Sequence, residues 1–257
     1  MAHRTPRRRS EADMYHVFLR GSGRQLIYED DSDRQTFLRI LADAADDTDA
    51  ILYAYALMGN HYHLVVKSDY EKLPTFAHKL NCTYAVYFNE RHGREGHLFE
   101  TRYKSQSIDD DAYFLEAIRY VHRNPVAAHI CPDCNYPWSS YADYVENTDQ
   151  VGFFNRPAIP DTAKALEMLG GIEAFEDFHS RECKRKLVDD RPYDNALTEH
   201  DMIDIARNAL NGFEPGNLKS LPKQDRNRGL RLLKLSMLTQ TQIALVTGIS
   251  TPTVNRA

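Results

Sequence analysis

Cysteine is scarce in this chain, since 257 residues contain four: Cys82, Cys131, Cys134 and Cys183. Four cysteines in a chain of this length do not make a disulfide framework, so a reducing compartment is expected. A run of about 18 apolar residues, which a transmembrane helix needs, is also missing. The N-terminal arginines are not followed by the apolar segment of a signal peptide. We therefore expect a cytoplasmic protein without a membrane span.

An excess of positive charge is missing as well. The formal net charge is −5 at pH 7, with 32 Lys and Arg against 37 Asp and Glu. Any surface that binds nucleic acid must therefore be local. The chain is long enough for one large domain with an appendage.

The stretch that points most directly to chemistry is residues 59–66, GNHYHLVV. Its β-branched composition predicts a strand, in which residues two apart point to the same side. His61 and His63 would then project together, and two neutral imidazoles can share one divalent metal while leaving room for further ligands. A pair of histidines on a polar sheet face has the same sequence pattern, so the pattern alone leaves both interpretations open.

The neighbouring patterns alternate between strands and helices. Strands are predicted at 14–20, 51–58 and 61–67, with a tight Gly59-Asn60 turn between the last two. Helices are predicted at 31–46, 70–92 and 109–125, and 98–108 has strand-like composition. This order predicts an α+β domain in which the histidine strand is central.

Two further segments carry candidate functional residues. Residues 91–105 mix basic, glycine and aromatic side chains, which suits contacts with phosphates and bases, although a solvated loop has the same composition. In the helix at 109–125, Tyr120 and Asn124 are four residues apart and so share one face. Pro125 disfavours helical geometry at Asn124, which predicts that Tyr120 lies in the last turn.

Taken together, GNHYHLVV, YFNERHGREGHLFETRYKS and LEAIRYVHRNPVAA resemble the REP-associated tyrosine transposases. These belong to the single-tyrosine HUH (IS200-like) transposase superfamily, and the resemblance spans about residues 12–145. It implies a ferredoxin-like βαββαβ core with an antiparallel sheet. It also implies that His61 and His63 are the metal pair and Tyr120 the nucleophile. Asn124 corresponds to a third ligand that is glutamine in many relatives, so its amide oxygen is retained on a shorter side chain.

The resemblance further implies a metal-dependent enzyme, using Mg²⁺ or Mn²⁺, that nicks and rejoins single-stranded DNA through a 5′-phosphotyrosine. Its substrate would be a hairpin of a repeated palindrome, and the protein would act as a monomer or homodimer at the nucleoid. The residues expected to contact DNA in the core are Arg91, Arg94, His97, Arg102 and Lys104.

The C-terminal part carries a second DNA-binding signature. Residues 240–256 resemble a helix-turn-helix with its turn at Gly248, and a local basic face precedes it, including Arg226, Arg228 and Arg231. A small helical bundle that only docks on the core is the alternative. The predicted organisation is a basic tail at 1–11, a catalytic domain at 12–146, a linker at 147–160 and a helical DNA-binding region at 161–257.

Two other functions remain open at this point. One is a non-catalytic, sequence-specific DNA-binding protein, a domesticated transposase acting as a regulator. The other is a metal-dependent hydrolase that uses water and needs no tyrosine.

Overall fold

A computed structural model describes residues 8–100, 102–128, 130–145, 159–181, 199–236, 238 and 240–256. Most of the predicted basic tail (1–11) and of the predicted linker (147–160) lies outside these ranges. The chain divides into two compact units, one made of 1–127 with 133–190 and the other of 128–132 with 191–257. The predicted domain boundaries stay a prediction. Within the described ranges, no helix is long and apolar enough to cross a membrane.

In the part of the chain that the structure describes, the first unit contains four strands and six α-helices. The strands are Met14–Arg20 (β1), Ile51–Leu57 (β2), His61–Lys67 (β3) and Lys104–Ile108 (β4). The helices are Asp31–Asp46 (α1), Leu73–His92 (α2), Asp111–Ala127 (α3), Tyr141–Tyr144 (α4), Ala163–Leu169 (α5) and Ile172–Ser180 (α6).

The strands form one antiparallel sheet in the order β2-β3-β1-β4. With α1 between β1 and β2, and α2 between β3 and β4, this is the predicted ferredoxin-like βαββαβ arrangement. The strand at 98–108 was predicted too long, because only Lys104–Ile108 pairs continuously with β1. The central position of the histidine strand is confirmed, since β3 pairs with β2 on one side and β1 on the other.

The sheet is covered on both faces, and alternation along β3 assigns its side chains to them. Tyr62 points towards α1 and α2: its ring lies 5.1 Å from Phe37 and its hydroxyl donates to Asn81 at 2.8 Å. The opposite face is packed by α3, where Val65 joins Phe114 and Val121 in one buried cluster. His61 and His63 lie on this second face.

The end of α3 differs from the prediction. The helix runs to Ala127 and contains Pro125, so Tyr120 lies about two turns before its end rather than in the last turn. A proline removes one backbone hydrogen bond and disfavours helix at the preceding residue. Here both Asn124 and Pro125 are buried, and this packing outweighs the local preference.

The second unit is helical. Its helices are Glu199–Ala209 (α7), Lys223–Leu235 (α8), Gln240–Thr247 (α9) and Thr251–Arg256 (α10). Gly248 has φ of +64° between the last two, a conformation that favours glycine. Ile243 and Val254 are fully buried. Two helices with a turn at Gly248 are therefore present as predicted, while their role in DNA binding stays a prediction.

Candidate active site

The two histidines of β3 lie next to each other on the face of the sheet that α3 covers. Their ring centroids are 5.0 Å apart, and the rings are nearly perpendicular at 86°. Both side chains are buried, with 1% of His61 and none of His63 exposed. Strand alternation therefore brings the pair together as the sequence predicts.

Helix α3 brings Tyr120 and Asn124 to the same face. The ring of Tyr120 meets His63 edge-on at a centroid distance of 5.7 Å, and it meets His16 of β1 in the same way at 5.6 Å. Asn124 is 1% exposed and its amide lies near His61, while neither amide atom makes a hydrogen bond within the described residues. All four predicted central residues thus share one side of the sheet.

Burial keeps the two histidines neutral. It lowers the pKa of His61 to about 3, helped by the charge of Arg20 and opposed by the nearby amide of Asn124. The pKa of His63 is also lowered well below its usual value, chiefly by burial and then by the charges of its neighbours. A neutral imidazole has a lone pair available, so no proton has to leave before a metal binds.

The tautomer of His61 follows from its neighbour Asn60. The side-chain nitrogen of Asn60 donates to the carbonyl of Arg24 at 3.2 Å, so its oxygen is the atom that faces His61. That oxygen lies 2.6 Å from Nδ1 of His61 and can only accept a hydrogen bond. Nδ1 therefore carries the proton, and Nε2 of His61 carries the lone pair.

The donor set fits a divalent cation. Two neutral imidazoles are ligands for many divalent transition metals, and one amide oxygen is a ligand type that Mg²⁺ and Mn²⁺ accept. In the described part of the chain, no group of three His, Cys, Asp or Glu side chains is arranged to hold a metal. His61, His63 and Asn124 are accordingly the residues that could hold the ion.

Sequence reasoning missed two residues of this site, His16 and Arg20. Both lie on β1, which pairs with β3 so that Arg20 is opposite His61 and Phe18 is opposite His63. Arg20 is close enough for its charge to lower the pKa of both histidines. The alternation of 16, 18 and 20 on a strand was a usable signal, but the register that joins it to β3 was not in the sequence.

Lys104, one of the predicted DNA-binding residues, lies on the strand that pairs with β1. It lies opposite Phe18 on β4, and its ammonium is 5.3 Å from the centre of the Phe18 ring. Phe18 in turn stacks against His63 at 5.8 Å. A positive charge therefore stands beside the candidate active site.

His97 and Arg102 lie elsewhere in the first unit. Both line a cavity of about 440 Å³ that also includes Leu19 and Phe99. Leu19 precedes Arg20 on β1 and points to the other side of the sheet. This cavity is therefore separated from the histidine pair by the sheet itself.

Arg91 and Arg94 contact acidic or amide groups. Arg91 bridges Asp30, at 2.6 Å, and the fully buried Asp33. Arg94 contacts the side chain of Gln25. The contacts of Arg91 join the end of α2 to the start of α1, and Arg94 contacts the loop that precedes α1, so both arginines have a structural role.

The three predicted arginines of the second unit lie on α8. Arg228 and Arg231 are exposed and Arg226 is partly buried, while Leu230 and Leu233 of the same helix are fully buried. The helix is therefore amphipathic, with a basic outer face.

Several hydrogen bonds join α3 to α6. Nδ1 of His122 is 3.1 Å from Nε2 of His179, and Nε2 of His122 is 2.8 Å from the hydroxyl of Ser140. Arg119 and Arg123 donate to the last carbonyls of α6, at 3.1 and 2.7 Å. Side chains at three positions thus fix the helix that carries Tyr120 against α6.

His179 makes the stability of this junction depend on pH. Its pKa is lowered to about 3, chiefly by burial, whereas in an unfolded chain a histidine titrates near 6.5. The unfolded state therefore binds more protons between these values, and stability falls as the pH falls through that window. We expect this residue alone to make the free energy of unfolding about 2 kcal/mol lower at pH 5 than at pH 7.

The measurement is urea unfolding of the wild-type protein and His179→Phe at pH 7 and pH 5. The variant lacks the titrating group, so the stability difference between the two proteins should shrink by about 2 kcal/mol at the lower pH. A difference of the same size at both pH values would contradict neutral burial of His179.

Comparisons with known proteins bear on this site. Residues 10–124 match the family model described as Transposase IS200 like, which confirms the predicted family for this segment. The chain is similar to a solved structure of a REP-associated tyrosine transposase bound to a REP hairpin. The match covers 63% of this chain and 94% of that chain, at 12% identity and a TM-score of 0.48. No curated protein sequence matches the chain.

Proposed function

Because residues 10–124 are an IS200-like transposase domain, we propose that this protein nicks and rejoins single-stranded DNA through a covalent link to Tyr120. The observation that carries the proposal is that the candidate nucleophile and the candidate metal ligands lie on the same face of the sheet. Tyr120 packs edge-on against His63 while Asn124 on the same helix lies near His61. A candidate nucleophile and a candidate metal site are therefore adjacent.

Tyr120 has the reacting atom. Its phenol oxygen attacks the phosphorus, the bond from phosphorus to the 3′ oxygen breaks, and the phosphate stays on the tyrosine as a 5′-phosphotyrosine. The phenol proton is lost to solvent, and the departing 3′ oxygen takes up a proton to become a hydroxyl. Attack by another 3′ hydroxyl reverses the step, so rejoining needs no ATP.

His61, His63 and Asn124 would hold the metal, Mn²⁺ or Mg²⁺, and Nε2 of His61 is the nitrogen of that ring with a lone pair to offer. When bound, the ion supplies Lewis-acid stabilisation of charge on the phosphate and on the leaving oxygen. Arg20, whose charge reaches both histidines, offsets the negative charge of the incoming phosphate. The edge-on packing of Tyr120 against His16 and His63 limits where its ring can lie.

We propose hairpin-forming single strands as the substrate. Lys104 lies beside the active site and would contact the strand near the cut, with His97 and Arg102 contacting it further away. Arg91 and Arg94 would contribute only charge at the rim, because both already contact other side chains. Arg226, Arg228 and Arg231 give the second unit a basic face for duplex or hairpin backbone.

The test uses strands labelled at one end, taken from imperfect palindromes of the encoding genome. With Mn²⁺, a 3′-label should become attached to the protein and survive a denaturing gel, because the phosphotyrosine retains the 3′ part of the strand. A 5′-label should appear only in a shorter free fragment. Chelation should abolish both signals, and the same sequence as a perfect duplex is the control.

Each other outcome has a meaning. Attachment of the 5′-label instead would contradict the proposed direction of attack. Cleavage without any attached label would favour a hydrolase that uses water. Tight hairpin binding without cleavage would favour a non-catalytic DNA-binding protein.

A further inference from the structure

His16 is a fully buried residue of β1 that packs against Tyr120 and also contacts His63 directly. Its Nε2 lies 3.0 Å from Nδ1 of His63. The two rings are stacked almost in parallel, with centroids 5.2 Å apart and planes at 13°. Burial lowers the pKa of both rings, that of His16 to about 3, so the contact joins two neutral imidazoles.

A hydrogen bond between two neutral imidazoles can run in either direction. One ring must present N–H and the other a lone pair, and the distance alone does not say which. His61 has no such freedom, because the oxygen of Asn60 accepts from its Nδ1. The equivalent nitrogen of His63 faces His16, which can donate or accept.

We infer that His16 is a positioning residue that accepts the Nδ1 proton of His63, so that Nε2 of His63 coordinates the metal. The inference rests on the proposed function in one respect, the presence of a divalent metal on His61 and His63. A histidine coordinating through Nε2 as neutral imidazole must have its proton on Nδ1. At 3.0 Å from that nitrogen, Nε2 of His16 is the acceptor.

The same contact fixes the direction in which the ring of His63 points. Phe18 lies against both imidazoles, with ring centroids 5.6 Å from His16 and 5.8 Å from His63. Stacking limits tilting of the ring, and the hydrogen bond to His16 limits its rotation. Asn60 and His16 therefore have equivalent roles, one for each histidine of the pair.

The first experiment reads the proton positions directly. Long-range ¹H–¹⁵N correlation spectra of ¹⁵N-histidine-labelled protein with Mg²⁺ distinguish protonated ring nitrogens from nitrogens that carry a lone pair. We expect Nδ1 of His63 to be protonated and Nε2 of His16 to be unprotonated. A protonated Nε2 on His16, or coordination of His63 through Nδ1, would overturn the inference.

The second experiment measures Mn²⁺ affinity in three variants of His16. His16→Gln places an amide where Nε2 lies and can accept the proton, whereas His16→Asn places it where Nδ1 lies. His16→Phe keeps the stacking and removes the acceptor. Loss of such a partner typically weakens metal binding by about 10–100-fold. We expect that loss in the Phe and Asn variants and recovery to within about fivefold of wild type in the Gln variant.

Equal Mn²⁺ affinity in the Phe variant and the wild type would refute the positioning role. If a variant is poorly folded, the spectra of the wild-type protein still decide the question. Failure of the wild type to bind Mn²⁺ overturns the inference together with the proposed metal site. Metal binding with the expected proton positions, but without any DNA–protein adduct, supports the inference and removes only the proposed nicking reaction.

Discussion

Tyr120→Phe should form no covalent adduct with DNA. The change removes one oxygen, the proposed nucleophile, and keeps the ring that packs against His16 and His63. Hairpin affinity and Mn²⁺ affinity should therefore stay within about twofold of wild type, while adduct formation falls below detection, at least about 10³-fold. The measurement is the transfer of a 3′-label to protein on a denaturing gel, alongside hairpin binding by the same preparation.

A matched control is available on the same helix. Tyr113→Phe makes the same chemical change two turns earlier, where the tyrosine packs in the core with Phe114. Its adduct yield should equal that of wild type. If the adduct persists in Tyr120→Phe, another of the 15 tyrosines is the nucleophile.

His61→Gln and His63→Gln should each reduce cleavage by at least about 10³-fold, which corresponds to about 4 kcal/mol of lost transition-state stabilisation. Both histidines are buried, neutral and adjacent, so removal of either imidazole leaves an incomplete donor set. Mn²⁺ affinity, measured by electron paramagnetic resonance, should fall in parallel. Hairpin binding should change little, because the charged side chains proposed to contact DNA remain.

His78→Gln makes the same change at an exposed position of α2 and should have wild-type metal affinity and cleavage. Cleavage that survives in both His61→Gln and His63→Gln would place the metal elsewhere, or remove it from the reaction. Loss of cleavage with unchanged Mn²⁺ affinity would mean that the histidines act in another way.

Much of the fold could be predicted because it depends on local patterns. The alternation of His61 and His63 in a β-branched run puts both on one side of a strand, and the spacing of Tyr120 and Asn124 puts both on one side of a helix. These two periodicities hold regardless of the rest of the chain. The family resemblance then supplied the order of the strands, which no local pattern contains.

The rest depended on contacts between distant segments. His16 is 47 residues from its partner His63, and only the register of β1 against β3 brings them together. The sequence around Arg91 does not show its acidic partners, because they come from the start of α1. Pro125 was expected to end α3, and burial of the surrounding side chains outweighed that local preference.

The contacts between α3 and α6 indicate which part of the chain is needed to position the proposed active site. The match to the family model ends at residue 124, inside α3, whereas the contacts that hold this helix from behind come from 172–180. Arg119, His122 and Arg123 are spaced three and four residues apart on one side of α3, and Tyr120 and Asn124 occupy the neighbouring side. A fragment trimmed to the family match would keep every proposed catalytic side chain and lose the scaffold that aims the nucleophile. The contacts that position the proposed active site therefore include residues outside the segment that matches the family model.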